Sequence, residues 1–140
     1  AASHRDIYIK VAQPSSWNAY QELLVTWTAS GFKSKFNLYS SLQDAMAGTN
    51  PWRSCNGNDR NIGFPRDCGP STHVANQWNS LTRGGRKKYK YSVYRTAPSG
   101  SWVPLYQVGG TGVKSSKADF NRLFRDAGSG IIRRECTDCA

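Results

Sequence analysis

Two histidines, two glutamates and four cysteines are the residues of this chain whose types could carry acid-base, nucleophilic or metal chemistry near neutral pH. A metal-independent ribonuclease needs a general base and a general acid beside a cationic phosphate holder. His73 with Glu135 or Glu22, together with an arginine from the 83–95 cluster, is the one set of that kind the sequence can assemble. These residues match no spacing motif, and His73 in the first turn of a helix would serve equally as a cap or a solvated side chain. Gly-x-Ser-x-Gly, His-Glu-x-x-His and Walker-type sequences are absent, so no cofactor is expected. Gly109-Gly110-Thr111-Gly112 lacks the Gly-x-x-x-x-Gly-Lys spacing of a phosphate cradle and reads as a strand-to-helix turn.

The cysteines stand at 55, 68, 136 and 139, an even number in a small basic chain, which points to an oxidising compartment and two disulfides. Three pairings are open. A crossed bond from the 50s or 60s to the 130s would constrain the unfolded chain by about 4 kcal/mol, more than a local Cys136–Cys139 ring. A local Cys55–Cys68 bond would instead order the turn-rich segment between those two residues. Cys136-Thr137-Asp138-Cys139 has the C-x-x-C form of redox and zinc sites, but it follows no βαβ pattern, and the gap from Cys55 to Cys68 is wide for half of a zinc site. No metal is therefore expected. The chain begins Ala1-Ala2-Ser3-His4 without an initiator methionine, as a mature secreted chain does, and an extracellular location is the expectation.

Charge supplies the strongest feature. Lysine plus arginine number 19 against 9 acidic residues, a formal net charge of +10, and not one acid lies between Asp67 and Asp119. That interval holds Arg83, Arg86, Lys87, Lys88, Lys90 and Arg95. On a strand over 87–96, Lys88, Lys90, Ser92 and Tyr94 would form a wet polar row, with Tyr89, Tyr91 and Val93 on the opposite, core-facing side. A basic surface with rings beside it attracts phosphate, sulfate or carboxylate polymers and offers stacking faces for bases or sugars. The same charges would also suit an ordinary solvated face. Of the five tryptophans, Trp52, between Pro51 and Arg53, is the one expected to be exposed as a ligand contact.

These groups must be positioned by regular elements. Ile7, Ile9 and Val11 alternate as a half-buried strand closed by Pro14, and Phe36-Asn37-Leu38-Tyr39 alternates again. The stretch 16–28 is open to two readings, a short helix over 16–24 or a strand over Leu23–Thr28. Ser41 to Met46 reads as a short helix ended at Gly48, and 50–69 as a long irregular loop. Val74, Trp78 and Leu81 predict a helix capped by Ser71 or Thr72 and stopped at Gly84-Gly85. Lys87–Thr96 and Ser101–Val108 predict a hairpin across Pro98-Ser99-Gly100, with Pro104 pushing the second strand to an edge. Ser116 with Asp119 caps a helix carrying Phe120, Leu123, Phe124 and Ala127, which leads into a last strand at 130–134.

A chain of 140 residues with 12% aromatics supports one packed domain over 1–140 and excludes disorder as its main state. No apolar run is long enough for a transmembrane segment. Strands outnumber helices without βαβ alternation, so the fold class is α+β: a mainly antiparallel sheet with two or three short helices packed on it, stabilised by disulfides. The tail from Trp102 to Cys139 resembles, in its order of elements, small secreted fungal proteins of the killer-toxin and necrosis-inducing kind. Their inner cysteines are missing here, so no residue role follows from the resemblance. The expectation is a secreted, basic, non-catalytic binding or toxin and defence-type protein for an anionic polymer or glycan surface: RNA, a sulfated or acidic polysaccharide, or a cell surface. A small secreted ribonuclease using His73 is the alternative. Natively isolated protein should carry no titratable thiol and weigh four protons less than the reduced chain; four reactive thiols would remove the argument for an oxidising compartment.

Overall fold

The computed structural model describes residues 1–27, 31–55, 63–97 and 100–139. Thr28, positions 56–62 of the 50–69 loop and Pro98-Ser99 of the sequence reading lie outside that set. Five strands form one antiparallel sheet: β1 (Asp6–Val11), β2 (Phe36–Tyr39), β5 (Tyr89–Arg95), β6 (Ser101–Val108) and β7 (Gly128–Cys136), in the order β2-β1-β7-β5-β6. Three short helices, α1 (Ala19–Gln21), α2 (Leu42–Ala47) and α3 (Lys117–Asp126), pack around it. The α+β class and the mainly antiparallel sheet are as the sequence predicts. Among the described residues, no helix is long and apolar enough to cross a membrane.

Local chemistry explains most of these elements. The Ser116 hydroxyl accepts from Asp119 N at 3.2 Å to start α3, and Ser41 accepts from Asp44 N at 3.1 Å to start α2, which ends at Gly48 with φ +72°. Alternation in β1 buries Ile7, Ile9 and Val11 on the inner sheet face, against Phe120 and Phe124 of α3 and the rings of Trp17 and Trp27. Burying each such side chain contributes about 2 kcal/mol. Pro104 does sit on an edge strand, beside a bulge between Tyr91 and Ser92. Over 16–27 the helical reading holds: α1 runs into a five-residue π turn over Glu22–Thr26 that buries both Leu23 and Leu24.

The helix predicted between Ser71 and Gly84 does not form. Residues 71–78 are irregular, Asn76 takes φ +63°, and β3 (Asn79–Ser80) pairs with β4 (Gly84–Gly85). The reason is long-range. Arg134, fully buried in central strand β7, draws its acceptors from this segment: Nη1 donates to Gln77 O and to Asn79 Oδ1, both at 3.0 Å, and Nη2 donates to His4 O at 2.7 Å. Its guanidinium lies 5.3 Å from the Phe64 ring centroid. Desolvation pulls the Arg134 pKa down to about 10, which leaves it charged at neutral pH. Asn79 Nδ2 in turn donates to the Tyr91 hydroxyl at 3.2 Å, and that hydroxyl donates to Leu23 O at 3.2 Å. A helix over 72–83 would spend the Gln77 carbonyl on its own ladder and take from the buried cation one of its three acceptors.

The disulfides follow the local pairing, Cys55–Cys68 and Cys136–Cys139, so neither ties the tail to the 55–68 loop. Backbone bonds hold the tail instead. Cys136 N donates to Arg5 O at 2.7 Å, and the Ala1 amine donates to Cys139 O at 2.6 Å and to Gln77 Oε1 at 3.0 Å.

His4 sits inside this junction with no exposed surface. Its Nε2 lies 2.8 Å from Cys68 O, an obligate acceptor, so Nε2 carries the proton and Nδ1 accepts from the Ser3 hydroxyl at 2.9 Å. Burial, with lesser help from Arg134 and the terminal amine, lowers the His4 pKa from 6.5 to about 4, against the opposing effect of the Cys68 carbonyl. Because the folded value is depressed, the unfolded chain binds a proton between pH 6.5 and 4 that the folded chain refuses. The His4 contribution is therefore fully present above pH 6.5 and is lost as the pH falls towards 4. Urea unfolding at pH 7.5 and 4.5 should show wild type losing about 2 kcal/mol more than His4→Gln, whose amide can still donate to Cys68 O; parallel losses would show that His4 is not held neutral.

Candidate functional site

The basic segment is fastened at the open end of the β5–β6 hairpin by the C-terminal turn. Lys87 N and Lys88 N donate to the two Asp138 carboxylate oxygens at 3.0 and 3.3 Å, and Thr137 N donates to Lys88 O at 2.9 Å. The Cys136–Cys139 disulfide closes the turn that presents Asp138. The C-x-x-C sequence thus acts as a clamp on the entry to β5, its thiols spent in the bond and its intervening carboxylate on two backbone N–H groups. Arg86 is fixed separately, Nε donating to Asn76 O at 2.8 Å and its backbone N to Trp78 O at 2.8 Å.

Two shallow grooves flank this end and share Tyr89 and Val108. One, of about 370 Å³, is lined by Arg86, Lys87 and Thr82; the other, of about 220 Å³, by Lys88, Lys90, Gln107 and Glu135. Lys87, Lys88 and Arg83 are exposed, Lys90 and Arg86 half-buried. Ion pairs among the described residues join Arg122 to Asp119 and Asp126, and Arg133 to Glu135. Among the described residues, Arg83, Arg86, Lys87, Lys88 and Lys90 form no ion pair with a carboxylate.

The structure also rearranges the expected site. The acid-free interval is not acid-free in space, because β7 places Glu135 directly across from Lys90 and the tail places Asp138 under Lys87 and Lys88. Arg95 lies at the far end of β5, opposite Ser101 and Gly128, roughly 16 Å along the strand from Lys90, and stands apart from the other cations. Trp52, expected to be exposed, is 1% accessible: its backbone N donates to Leu38 O at 2.7 Å, which turns the ring inward against His4, and Nε1 donates to Ser40 Oγ at 2.8 Å. Tyr89, Tyr91 and Val93 face the core as the alternation requires. The opposite row is only partly wet, since Ser92 is shut between its cross-strand neighbours Arg133 and Pro104.

The acid-base residues are placed apart. His73 is exposed on the irregular 71–78 segment, not on a helix, and its Nδ1 is hydrogen-bonded to Ser54 Oγ. Glu135, on β7, pairs with Arg133 at 3.3 Å, and Glu22 opens the π turn beside Trp17 and Lys35. The ribonuclease constellation is thus not gathered into one cleft. Nor is 109–112 a phosphate cradle: the Gln107 side chain fills the space that the glycines leave, since an added Cβ at Gly112 would lie 1.9 Å from Gln107 Oε1.

Sequence reasoning missed the outer sheet face. There Tyr8, Tyr94 and Trp102 form a ring cluster, with Tyr94–Trp102 centroids 5.2 Å and Tyr8–Trp102 centroids 6.1 Å apart, and the Arg133 guanidinium lies 4.1 Å above the Trp102 ring. A signal existed, because Tyr94 and Trp102 fall in register across the predicted hairpin. The strand order that brings Tyr8 and Arg133 beside them was not available from the sequence. Asp138→Ala should release the clamp, and amide exchange at Lys87 and Lys88 should quicken by about tenfold, the loss of one charge-assisted hydrogen bond; unchanged protection would mean that the tail does not order this segment.

Comparison with protein-family models, with curated proteins and with solved structures gives no match to this chain, so its function is argued from the site alone.

Proposed function

We propose that the protein is a secreted, non-catalytic binding protein of the toxin or defence type, which recognises an anionic polymer or an anionic glycan surface with the end of the β5–β6 hairpin. The observation that carries this reading is the set of cations Arg83, Arg86, Lys87, Lys88 and Lys90, which form no ion pair among the described residues and stand beside two grooves on a protein of net charge +10. Polyanions condense counterions, and cations that replace those counterions release them into solution, so affinity arises without a deep pocket. Shallow, open grooves suit such a ligand better than they suit a small molecule, which needs most of its surface enclosed. The clamp by Asp138 supports the same reading, because it orders the backbone under Lys87 and Lys88 before any ligand arrives and so lowers the entropy cost of binding. Two disulfides, with no free cysteine, favour an extracellular setting.

Binding to heparin should weaken steeply with salt. Reversing Lys87, Lys88 and Lys90 to Glu should lower the log–log salt slope by about two to three, whereas reversing Lys33 and Lys35, on the opposite side of the sheet order beside β2, should cost far less per charge. An equal loss per charge at both places would reduce the effect to net charge and remove the site.

A further inference from the structure

We infer that the outer sheet face is a stacking platform for unpaired bases, which makes single-stranded nucleic acid the polymer bound; this deepens the polyanion reading and rests on it. The helices leave this face open over β5, β6 and the part of β7 beyond Ile131. Helices α1 and α3 lie on the inner side, and α2 covers the β1–β2 end and the start of β7, where Ala45, Tyr39 and Ile131 form a small cluster that supports one side of Tyr8, Tyr94 and Trp102. Over β7, β5 and β6 the surface is formed by half-buried Arg133, Tyr94 and Trp102, joined by Tyr8 from β1. Register makes the layer continuous: Tyr8 faces Arg133, Arg133 faces Ser92, and Tyr94 faces Trp102.

The chemistry of the layer selects among polyanions. The Arg133 guanidinium lies over the Trp102 ring, 4.1 Å from its centroid, and its Nη2 is held by Glu135 at 3.3 Å, so its charge is partnered and its delocalised group extends the ring layer. Its Nε has no acceptor among the described residues. Glu135 and Asp6, cross-strand neighbours on this face, offset Lys90 and Arg133. The layer is therefore close to neutral and rich in rings, while the unpaired cations stand at its edge by Lys87 and Lys88. A sulfated polysaccharide carries charge on every unit and gains little from a near-neutral ring surface. A single strand carries charge along one side and flat bases along the other, and bases stack on Tyr, Trp and Arg planes whatever the sequence. Lys90 and Gln107, opposite each other in register, join the platform to the basic groove, so a phosphate backbone held at Lys88 and Lys90 would lead its bases towards Tyr94 and Trp102. A duplex keeps its bases stacked internally and could use only the edge.

The test compares a 12-nucleotide single-stranded RNA, its duplex, and a heparin dodecasaccharide by fluorescence anisotropy at fixed salt. Wild type should hold the single strand more tightly than the duplex. Trp102→Leu and, separately, Tyr8→Leu should each weaken the single strand by about tenfold, the loss of one stacked base, while heparin binding changes less than about twofold and so certifies the fold. Lys87, Lys88 and Lys90 reversed to Glu should weaken all three ligands. Heparin binding with no preference for the single strand, or equal losses for RNA and heparin in both ring variants, would overturn the platform and leave the polyanion reading standing. Binding to none of the three ligands would overturn both.

Discussion

The fold is organised around one buried cation. Among the described residues Arg134 has no carboxylate in contact, and it instead gathers three oxygens from two distant parts of the chain, His4 O from the first turn and Gln77 O with Asn79 Oδ1 from the irregular middle. Burying a charge without such partners is among the costliest arrangements a protein can adopt. These acceptors must therefore be in place when β7 takes its position at the centre of the sheet. This requirement links the N-terminal turn, the 71–80 segment and the tail into one junction. The Ala1 amine on Cys139 O and Gln77 Oε1, and His4 on Cys68 O, close it from the other side.

Fixing the junction has a direct effect on the basic segment. Strand β7 runs on from Arg134 to Cys136, and the disulfide-closed turn after it carries Asp138 to the backbone of Lys87 and Lys88. The buried cation inside and the exposed cations outside are thus parts of one strand-and-turn arrangement. Alternation along β7 places Arg134 inward and Arg133 outward, so adjacent arginines serve opposite faces. One anchors the core; the other lies on Trp102.

The two sides of the sheet divide the labour accordingly. The inner side takes most of the large apolar residues and packs against α3. The outer side keeps a small apolar patch under α2 and otherwise stays open, a combination of rings, a stacked guanidinium and a cationic rim. Electrostatic attraction at the rim acts over roughly a Debye length, whereas stacking acts only at contact, so the rim would capture and the rings would discriminate.

What was legible in the sequence is what neighbours in the chain decide. Period-two alternation gave β1, β2 and β5, the Ser116 cap gave α3, the stop at Gly48 gave the end of α2, and the turn residues and Pro104 gave the hairpin with its edge strand, because each depends on contacts within a few residues. The fold class and the positive charge at 83–90 follow from the same local signals. Only the tertiary structure decided the rest. Periodicity at Val74, Trp78 and Leu81 favours a helix, but the acceptors demanded by Arg134, about 55 residues away, hold that segment open. The neighbours Pro51 and Arg53 suggest an exposed Trp52, yet a backbone bond to Leu38 turns it inside. Glu135 and Asp138, remote in sequence from the basic run, enter it through strand order. Side-chain direction and local hydrogen bonding are written in short windows; the partner of a buried charge, and the strand that lies beside another, are set by packing across the whole chain.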